Sequence, residues 1–396
     1  MINTEEAREI ISARSSAGVT EMRPLTESLG KILRESVTAP MDLPQFDQSA
    51  MDGFALRYAD LQNHSSFNIV GESSAGKPFE GNSTPGDAIR IFTGAALPDW
   101  ADHIIVVEAS TVNSTQCTFN DPGGIYGQHI RKKGSQISNN EVAVREGSRI
   151  NPATIGFLYS LGFTKVKVNR NLKISILVTG NELRKPGEET KRGEIYESNS
   201  VMLEAACHSV HEPDVRTYHC PDNESELTEK VQQLLLTSDI LIATGGVSAG
   251  DYDYTTKAFT NCNVTKHFHK IAQKPGKPMY YGTAGTTHVF GLPGNPAAAL
   301  TCFYEYVLLC INSINGATQI QLPQITLPFK DQWKKKAGLA NYLKGRISES
   351  GVELQPGQES FILKSFAESD CLIYIKQDRT EINSGEEAEV HLLPFH

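Results

Sequence analysis

The spacing of apolar residues changes character several times along the chain. From Thr4 to Ala17, and again from Leu25 to Glu35 before Pro40, apolar positions fall three or four apart, which predicts a small helical element. Between about Ser65 and Gln136 the pattern shortens to β-rich runs such as Ile89-Arg90-Ile91-Phe92 and His103-Ile104-Ile105-Val106-Val107, parted by Gly and Pro turns. Helical spacing returns at Pro152 to Leu161, so the β stretch reads as an insertion, with this helix packing back on the N-terminal ones.

From Lys173 the pattern alternates between strand and helix. Lys173 to Thr179 reads as a buried strand, Ser200 to Ser209 as a helix, Val215 to Tyr218 as a strand, Glu224 to Leu236 as a helix and Asp239 to Ala243 as a third strand. Strands at Lys266 to His269 and Val289 to Phe290 precede an apolar helix from Pro296 to about Ile314. Such alternation implies a mostly parallel sheet with helices on both faces, and ligands then bind beyond the carboxyl ends of the strands. After Pro323 five short β runs follow: Ile325 to Phe329, Leu343 to Ser348, Phe361 to Phe366, Cys371 to Lys376 and Ala388 to Leu392. They predict a small barrel or sandwich.

Three loops at the predicted strand ends carry candidate chemistry. The first holds Thr179-Gly180-Asn181-Glu182-Leu183 and then Gly193-Glu194-Ile195-Tyr196-Glu197-Ser198-Asn199, in which polar groups precede a helix. The second is Thr244-Gly245-Gly246-Val247-Ser248-Ala249-Gly250-Asp251-Tyr252-Asp253, whose paired glycines form either a tight turn or a backbone cradle for phosphate. Asp251 and Asp253, one residue apart, would both reach a hard cation such as Mg²⁺, or Asp251 caps the next helix. The third pairs Lys274-Pro275-Gly276-Lys277-Pro278 with Leu292-Pro293-Gly294-Asn295-Pro296. Here Asn295 reads as an N-cap and Pro296 as the first helical residue, an arrangement that leaves N–H groups and a positive dipole end for an anion. A further acidic loop, Phe46-Asp47-Gln48-Ser49-Ala50-Met51-Asp52-Gly53, lies outside this region. Cys262, His267 and His269 lack a fourth ligand at zinc spacing.

Composition narrows the choice of partners. The 396 residues exceed one comfortable core, and 39% apolar with 21% charged residues fits a globular protein. Lys+Arg 37 against Asp+Glu 46 gives −9, which argues against a nucleic-acid or membrane surface. Any anion site must then be a local concentration of positive charge, and Arg131-Lys132-Lys133 reads as a solvated face or an anion-contact loop. The acidic N-terminus is unlike a signal peptide, and seven cysteines without a C-x-x-C pair suit reduced thiols, so a cytoplasmic protein is expected.

Taken in order, Phe46 to Gly53, Thr93-Gly94-Ala95, Thr179 to Leu183, Gly245 to Gly250, Lys274 to Pro278 and Leu292 to Pro296 resemble the molybdopterin molybdenumtransferase family, which includes bacterial MoeA and the E domain of gephyrin. The resemblance runs over nearly the whole chain. It implies a multidomain α/β plus β fold: a small helical N-terminal domain (1–46 with 138–170), an inserted β domain (47–137), a MogA-like α/β domain with a parallel-rich sheet (171–318) and a C-terminal β barrel (319–396). It also implies a homodimer whose cleft combines the α/β domain with N-terminal loops of the other subunit. Adenylylated molybdopterin and molybdate would be the substrates, AMP the leaving product and Mg²⁺ the cation. A non-catalytic pterin chaperone or scaffold is the alternative, and molybdopterin adenylyltransferase and recipient molybdoenzymes are expected partners.

Carried onto matching positions, the resemblance makes Asp52, Glu182, Asp222 and Asp253 the functional acids and Lys274 and Lys277 the molybdate or phosphate contacts. It makes Asp251 and Asp253 the metal ligands. Thr179, Gly180, Ser198, Asn199, Gly245, Gly246, Ser248, Gly250, Pro293, Gly294, Asn295 and Pro296 would hold the pterin substrate. One departure stands out. Gln136 occupies a position where the family usually has an acid, which keeps hydrogen bonding but removes charge.

Overall fold

A computed structural model describes residues 1–120, 124–246 and 253–394. The chain divides into two compact units, one formed by 1–35, 147–151 and 165–396, the other by 36–146 and 152–164.

In the larger unit the strands β1 (Ile174–Thr179), β2 (Val215–Cys220), β3 (Ile240–Thr244), β4 (Thr265–His269), β5 (Tyr280–Ala284) and β6 (Thr287–Leu292) form one sheet. Their order is β2-β1-β3-β6-β5-β4. The first four in that order run parallel, and β5 and β4 are antiparallel additions at one edge. Alternate residues feed two cores, as the two-residue period of a strand requires. Ile174, Ile176, Val178, Ile240 and Ile242 face one side. Leu177, Leu241, Ala243 and Val289 face the other, against Leu227, Val231 and Leu234 of a helix over Glu224–Leu235. Asn223 caps that helix through the N–H groups of Ser225 and Glu226.

The first core surrounds a 20-residue helix, Pro296–Asn315, in which every residue but Pro296 and Ser313 is buried. It is mostly apolar and buried on every side, so it is satisfied only by neighbours all round. The sheet supplies one wall, and Ala7 and Ile11 of the N-terminal helix Thr4–Arg14 a second. Tyr342, Leu372 and Tyr374 of the C-terminal strands supply a third. Those strands form a barrel: Ala340–Ser348 pairs with Gly351–Leu354 and Cys371–Ile375, which pairs with Glu387–Leu392, which pairs with Gln324–Pro328. The bridge Phe329↔Val352 closes the ring. Phe329, Leu343, Ile373, Ile375 and Val390 fill it.

The smaller unit holds a six-stranded sheet ordered His103–Val106, Gly53–Leu56, Asp87–Ile91, Phe67–Ser73, Gln116–Phe119, Ser110–Asn113. Phe54, Leu56 and Phe67 pack on one of its faces, and Ala55, Ile89 and Ile91 on the other.

Two predicted elements are corrected. Leu25–Glu35 is not a helix beyond one 3₁₀ turn at Leu25–Glu27. Gly30 takes φ +77°, and the chain instead pairs at long range, Gly30 N–H to Ile150 O (2.8 Å) and Leu33 N–H to Ser148 O (3.0 Å). The N-terminal region is therefore less helical than its spacing suggests, and helix Pro152–Ser160 falls in the smaller unit while Thr4–Arg14 falls in the larger. Phe361–Phe366 is not a strand. The carbonyls of Gly357, Glu359 and Ile362 turn inward to the buried ammonium of Lys344 at 2.6, 3.2 and 2.9 Å, and the chain then enters a short helix at Lys364–Ala367. A buried charge needs such acceptors more than the segment needs a ladder partner.

Charge is also buried at the join of helix and barrel. One turn of the long helix, Phe303–Val307, is widened to π geometry and carries Glu305. Its carboxylate accepts from Arg8 Nη2 at 2.7 Å and meets His391 Nδ1 at 2.7 Å. Arg8 also donates to Tyr342 OH at 2.6 Å. Burial opposes both charged forms, yet the pairing prevails: His391 and Arg8 hold Glu305 down at about 2, and Glu305 and Glu389 hold His391 up at about 9. The signs fix the pH response. The Glu305 contribution is complete above its unfolded pKa and is lost as pH falls toward 2; that of His391 is complete below about 6.5 and is lost as pH rises through 9. We expect the unfolding free energy to decline between pH 6.5 and 9 in the wild type. His391→Ala should lower it by about 3 kcal/mol at pH 6.5 and abolish most of that decline, as read by urea denaturation.

Candidate active site

The carboxyl ends of β1, β2, β3 and β6 open onto one cleft of about 600 Å³. Its walls include Thr179, Gly180 and Glu182 after β1, and Asp222 after β2. Thr244, Gly245 and Gly246 end β3, and Pro293, Gly294, Asn295 and Pro296 follow β6. Ser198, Asn199 and Pro278 complete the predicted part of the lining. All of these line one rim because parallel strands end on the same side.

Hydrogen bonds between the loops hold the rim in shape. Asn199, buried at the start of helix Asn199–Ser209, donates through Nδ2 to Thr244 Oγ1 (2.9 Å) and to Gly294 O (2.8 Å). Thr244 Oγ1 in turn donates to Pro293 O at 3.2 Å, and Thr255 Oγ1 donates to Gly245 O at 2.9 Å. Gly245 and Gly246 have φ +96° and +59°. A Cβ on Gly245 would lie 2.3 Å from Thr179 O, so this turn presents main chain to the cleft and admits no side chain. Asp222 accepts from Thr179 Oγ1 (2.5 Å) and from Asn181 N–H (3.3 Å), which locks the β1 and β2 loops together.

Several lining residues fall within the first candidate loop set but were given no role there, and Phe361 lies outside every candidate loop. Two short strands, Leu183–Arg184 and Ile195–Tyr196, pair in parallel and are clasped by Arg184 Nη2 to Glu194 Oε1 at 2.5 Å. They place Leu183, Ile195, Tyr196 and Glu197 on the wall. Glu197 is committed to the next helix, accepting Ser200 N–H (2.8 Å) and Oγ–H (2.5 Å). Phe361 reaches the cleft from the loop around Lys344 and is 64% exposed. Tyr196 was legible as an exposed aromatic between polar residues before a helix; Phe361 carried no local signal.

Other predicted residues stand differently. Lys274 and Lys277 are exposed and are not among the lining residues, although Pro278 of the same loop is. Among the described lining residues there are three acids, Glu182, Glu197 and Asp222, and no basic side chain. Asp253 is buried and N-caps helix Tyr254–Asn261, accepting Thr256 N–H at 3.1 Å. It does not line the cleft, and the described residues contain no group of three or more acids, histidines or cysteines placed to hold a metal. Capping was one of the two readings of Asp251; the helix Tyr254–Asn261 is capped by Asp253. Ser248, Gly250 and Asp251 lie outside the described residues. Asn295 stands at the N-cap of the long helix but does not cap it; its Nδ2 donates to Ser360 Oγ at 2.9 Å. Ser360 O also accepts Ala298 N–H at 3.3 Å, so chain from the barrel side takes up part of the expected anion site. Glu182 is exposed on the wall, and its carboxylate has no hydrogen-bond or ion-pair partner among the described residues.

Asp52 belongs to the smaller unit. Thr93 donates to its Oδ1 through N–H (2.7 Å) and Oγ1 (2.8 Å), and these bonds hold its pKa below the ordinary aspartate range. Gln136 lines a separate cavity of about 620 Å³ in the same unit, with Phe46, Gln48 and Arg131. Of the basic run, Lys132 and Lys133 pair with Asp47 and Asp42 at 2.7 and 3.4 Å. All seven cysteines are free thiols.

Comparisons with known proteins cover the chain from end to end. Residues 2–162 match the MoeA N-terminal region (domain I and II), 175–312 the probable molybdopterin binding domain, and 326–393 the MoeA C-terminal region (domain IV). The chain is 34% identical over 387 residues to the molybdopterin molybdenumtransferase of Haemophilus influenzae, covering 95% of this chain and 94% of that one. It is 30% identical to the enzyme of that name from Staphylococcus epidermidis, covering 93% and 90%. A crystal structure of the molybdopterin biosynthesis MoeA protein from Pyrococcus horikoshii superposes with a TM-score of 0.87 at 27% identity, over 99% of this chain and all of the other. Fold, cleft and sequence therefore agree, and the chain belongs to the molybdopterin molybdenumtransferase (MoeA) family.

Proposed function

We propose that this chain is a transferase of molybdenum cofactor biosynthesis that inserts molybdate into adenylylated molybdopterin and releases AMP. The observation that carries the reading is the rim itself: four parallel strand ends converge on one cleft whose loops are locked by Asn199, Thr244 and Asp222, inside a chain that matches named molybdenumtransferases along its length. A non-catalytic pterin carrier is not favoured, since the relatives over nearly the full chain carry a transferase name.

The cleft suits a large polar substrate. A volume of about 600 Å³ lies in the range of small-molecule and cofactor sites. Tyr196 and Phe361 offer flat apolar surface to a ring, and the main chain at Gly245 and Gly246 allows close approach by phosphate. Lys274 and Lys277, exposed on the loop that ends in Pro278, supply charge for molybdate or phosphate at the rim. A divalent cation fits Glu182 better than Asp253. Glu182 lies on the cleft wall with its carboxylate unengaged, while Asp253 is buried as a cap. Magnesium prefers one or two carboxylates together with substrate phosphates, so Glu182 would hold it beside the phosphoanhydride, where it supplies Lewis-acid polarisation. Asp222 orients Thr179 and the Asn181 loop. We also propose a homodimer in which Asp52 of a second copy completes the cleft, with molybdopterin adenylyltransferase and recipient molybdoenzymes as partners and the cytoplasm as compartment.

Supplying adenylylated molybdopterin, molybdate and Mg²⁺ should give AMP and active cofactor; tight pterin binding with AMP at background would overturn the enzyme reading. Lys274→Ala should raise the molybdate concentration needed for half-maximal rate by about tenfold, the worth of one charge-assisted hydrogen bond, with the unfolding midpoint unchanged. Glu182→Gln should shift the Mg²⁺ dependence of AMP release to higher concentration, and an unchanged Mg²⁺ titration would remove Glu182 from that role.

A further inference from the structure

The loop carrying Lys274 and Lys277 is held from beneath by a side chain that neither the cleft nor the helix core requires. Gln273 is fully buried, an unusual place for a primary amide with two donors and an acceptor to satisfy. Both ends of the amide are used. Oε1 accepts from the hydroxyl of Tyr306, itself fully buried in the π turn of the long helix, and Nε2 donates to Pro275 O at 3.0 Å. Nε2 also lies 3.6 Å from Cys302 Sγ. Gly276, at φ +87°, sits so close above that a Cβ would fall 2.4 Å from Cys302 Sγ and 2.7 Å from Gln273 Nε2. Burial keeps the Tyr306 phenol protonated and therefore a donor.

The rest of the loop is anchored by main chain. Ile271 N–H donates to Lys277 O at 2.9 Å and Lys270 N–H to Met279 O at 2.9 Å, closing its base. Gln273 and Lys274 pair in parallel with Ala340 and Asn341 of the barrel. These bonds fix where the loop begins and ends. The carbonyl of Pro275, between the two lysines, is instead held by the Gln273 side chain.

We propose that Gln273 and Tyr306 form a clamp that positions Lys274 and Lys277 for the oxyanion substrate. Gln273 and Tyr306 are positioning residues; neither faces the cleft. The inference rests on the assignment of the two lysines as anion contacts made above. Its physical content is preorganisation: two long, exposed ammonium side chains gain most for an anion when the backbone that bears them does not have to be ordered on binding.

The test uses the full-length protein and the AMP-release assay, with molybdate varied at saturating adenylylated molybdopterin and the pterin then varied at saturating molybdate. Tyr306→Phe retains the ring in the core and removes only the hydroxyl; Gln273→Met retains length and removes both bonds. Tyr306→Phe should raise the molybdate KM about tenfold, the worth of one buried hydrogen bond, and Gln273→Met at least as much, while both leave kcat at saturating molybdate and the pterin KM near wild type. Should Gln273→Met fail to fold, Tyr306→Phe alone decides. An unchanged molybdate KM overturns the clamp, as does a fall in kcat and unfolding midpoint with no selective change in molybdate KM, which would mark the pair as structural. Lys274→Ala run in parallel separates the two readings. If it raises the molybdate KM and Tyr306→Phe does not, the clamp alone falls; if Lys274→Ala is silent, the lysine assignment falls and the clamp with it.

Discussion

The larger unit is organised by one constraint: the helix Pro296–Asn315 is mostly apolar and is enclosed on every side. A parallel sheet can cover only one flank of a helix. The remaining flanks are covered by the N-terminal helix Thr4–Arg14 and by the outer face of the barrel, two segments at opposite ends of the sequence. The barrel is thus no appendage. Its strand residues alternate, with Cys371, Ile373 and Ile375 filling its interior while Leu372 and Tyr374 turn outward to the helix. The same helix begins at Pro296 on the cleft wall. Whatever seats the helix therefore seats the mouth of the cleft.

Enclosure on all sides leaves the middle of the helix where a charge is costly, yet Glu305 lies there. A lone carboxylate at that depth would take up a proton; with Arg8 on one side and His391 on the other it stays ionised. A buried ion pair is weak evidence for net stability but strong evidence for register. Arg8 comes from the first helix and His391 from the last barrel strand, so only one docking of each against the long helix satisfies the carboxylate. The π turn that carries Glu305 also carries Tyr306, whose hydroxyl donates to Gln273 under the lysine loop. One widened turn so contributes to two tasks, fixing the barrel and supporting the rim.

The parallel sheet, its helices and the barrel were legible in the sequence because strand and helix periodicities are strong where one face is buried. What failed has physical reasons. Leu25–Glu35 has helical spacing, but its hydrogen bonds go to residues 147–150, more than a hundred positions away, and no local pattern reports that. Phe361–Phe366 looked like a strand since nothing nearby in sequence reveals that Lys344 lies underneath and takes its carbonyls. In the site, Thr179, Gly180, Glu182, Ser198, Asn199, Asp222, Gly245, Gly246 and Pro293 to Pro296 line the cleft together, whereas Lys274 and Lys277 do not. Two side chains are used otherwise than expected: Asn295 lines the cleft but bonds Ser360 instead of capping its helix, and Asp253 caps the helix that follows it instead of facing the cleft. Gln273 stands just before the Lys-Pro-Gly-Lys-Pro run with no local pattern that sets it apart, and it is its burial that decides its partners.

An acidic cleft in a protein of net charge −9 is a poor place for a phosphate-bearing substrate unless the acids are already engaged. Two of the three are. Asp222 is spent on Thr179 and Asn181, and Glu197 on Ser200, so both act as acceptors inside the wall. Only Glu182 presents a carboxylate without a partner among the described residues. A repulsive charge with no compensating cation would weaken anion binding by like-charge repulsion, while the same charge with a divalent ion between it and a phosphate becomes attractive. The lysines do not remove this tension, because exposed ammonium groups are screened over about 8 Å at physiological ionic strength. They contribute most to an anion held against them at contact distance. On the proposed function, Glu182 would hold the divalent cation beside the phosphate-bearing substrate, and Lys274 and Lys277, which do not line the cleft, would meet the free oxyanion from the loop ending in Pro278.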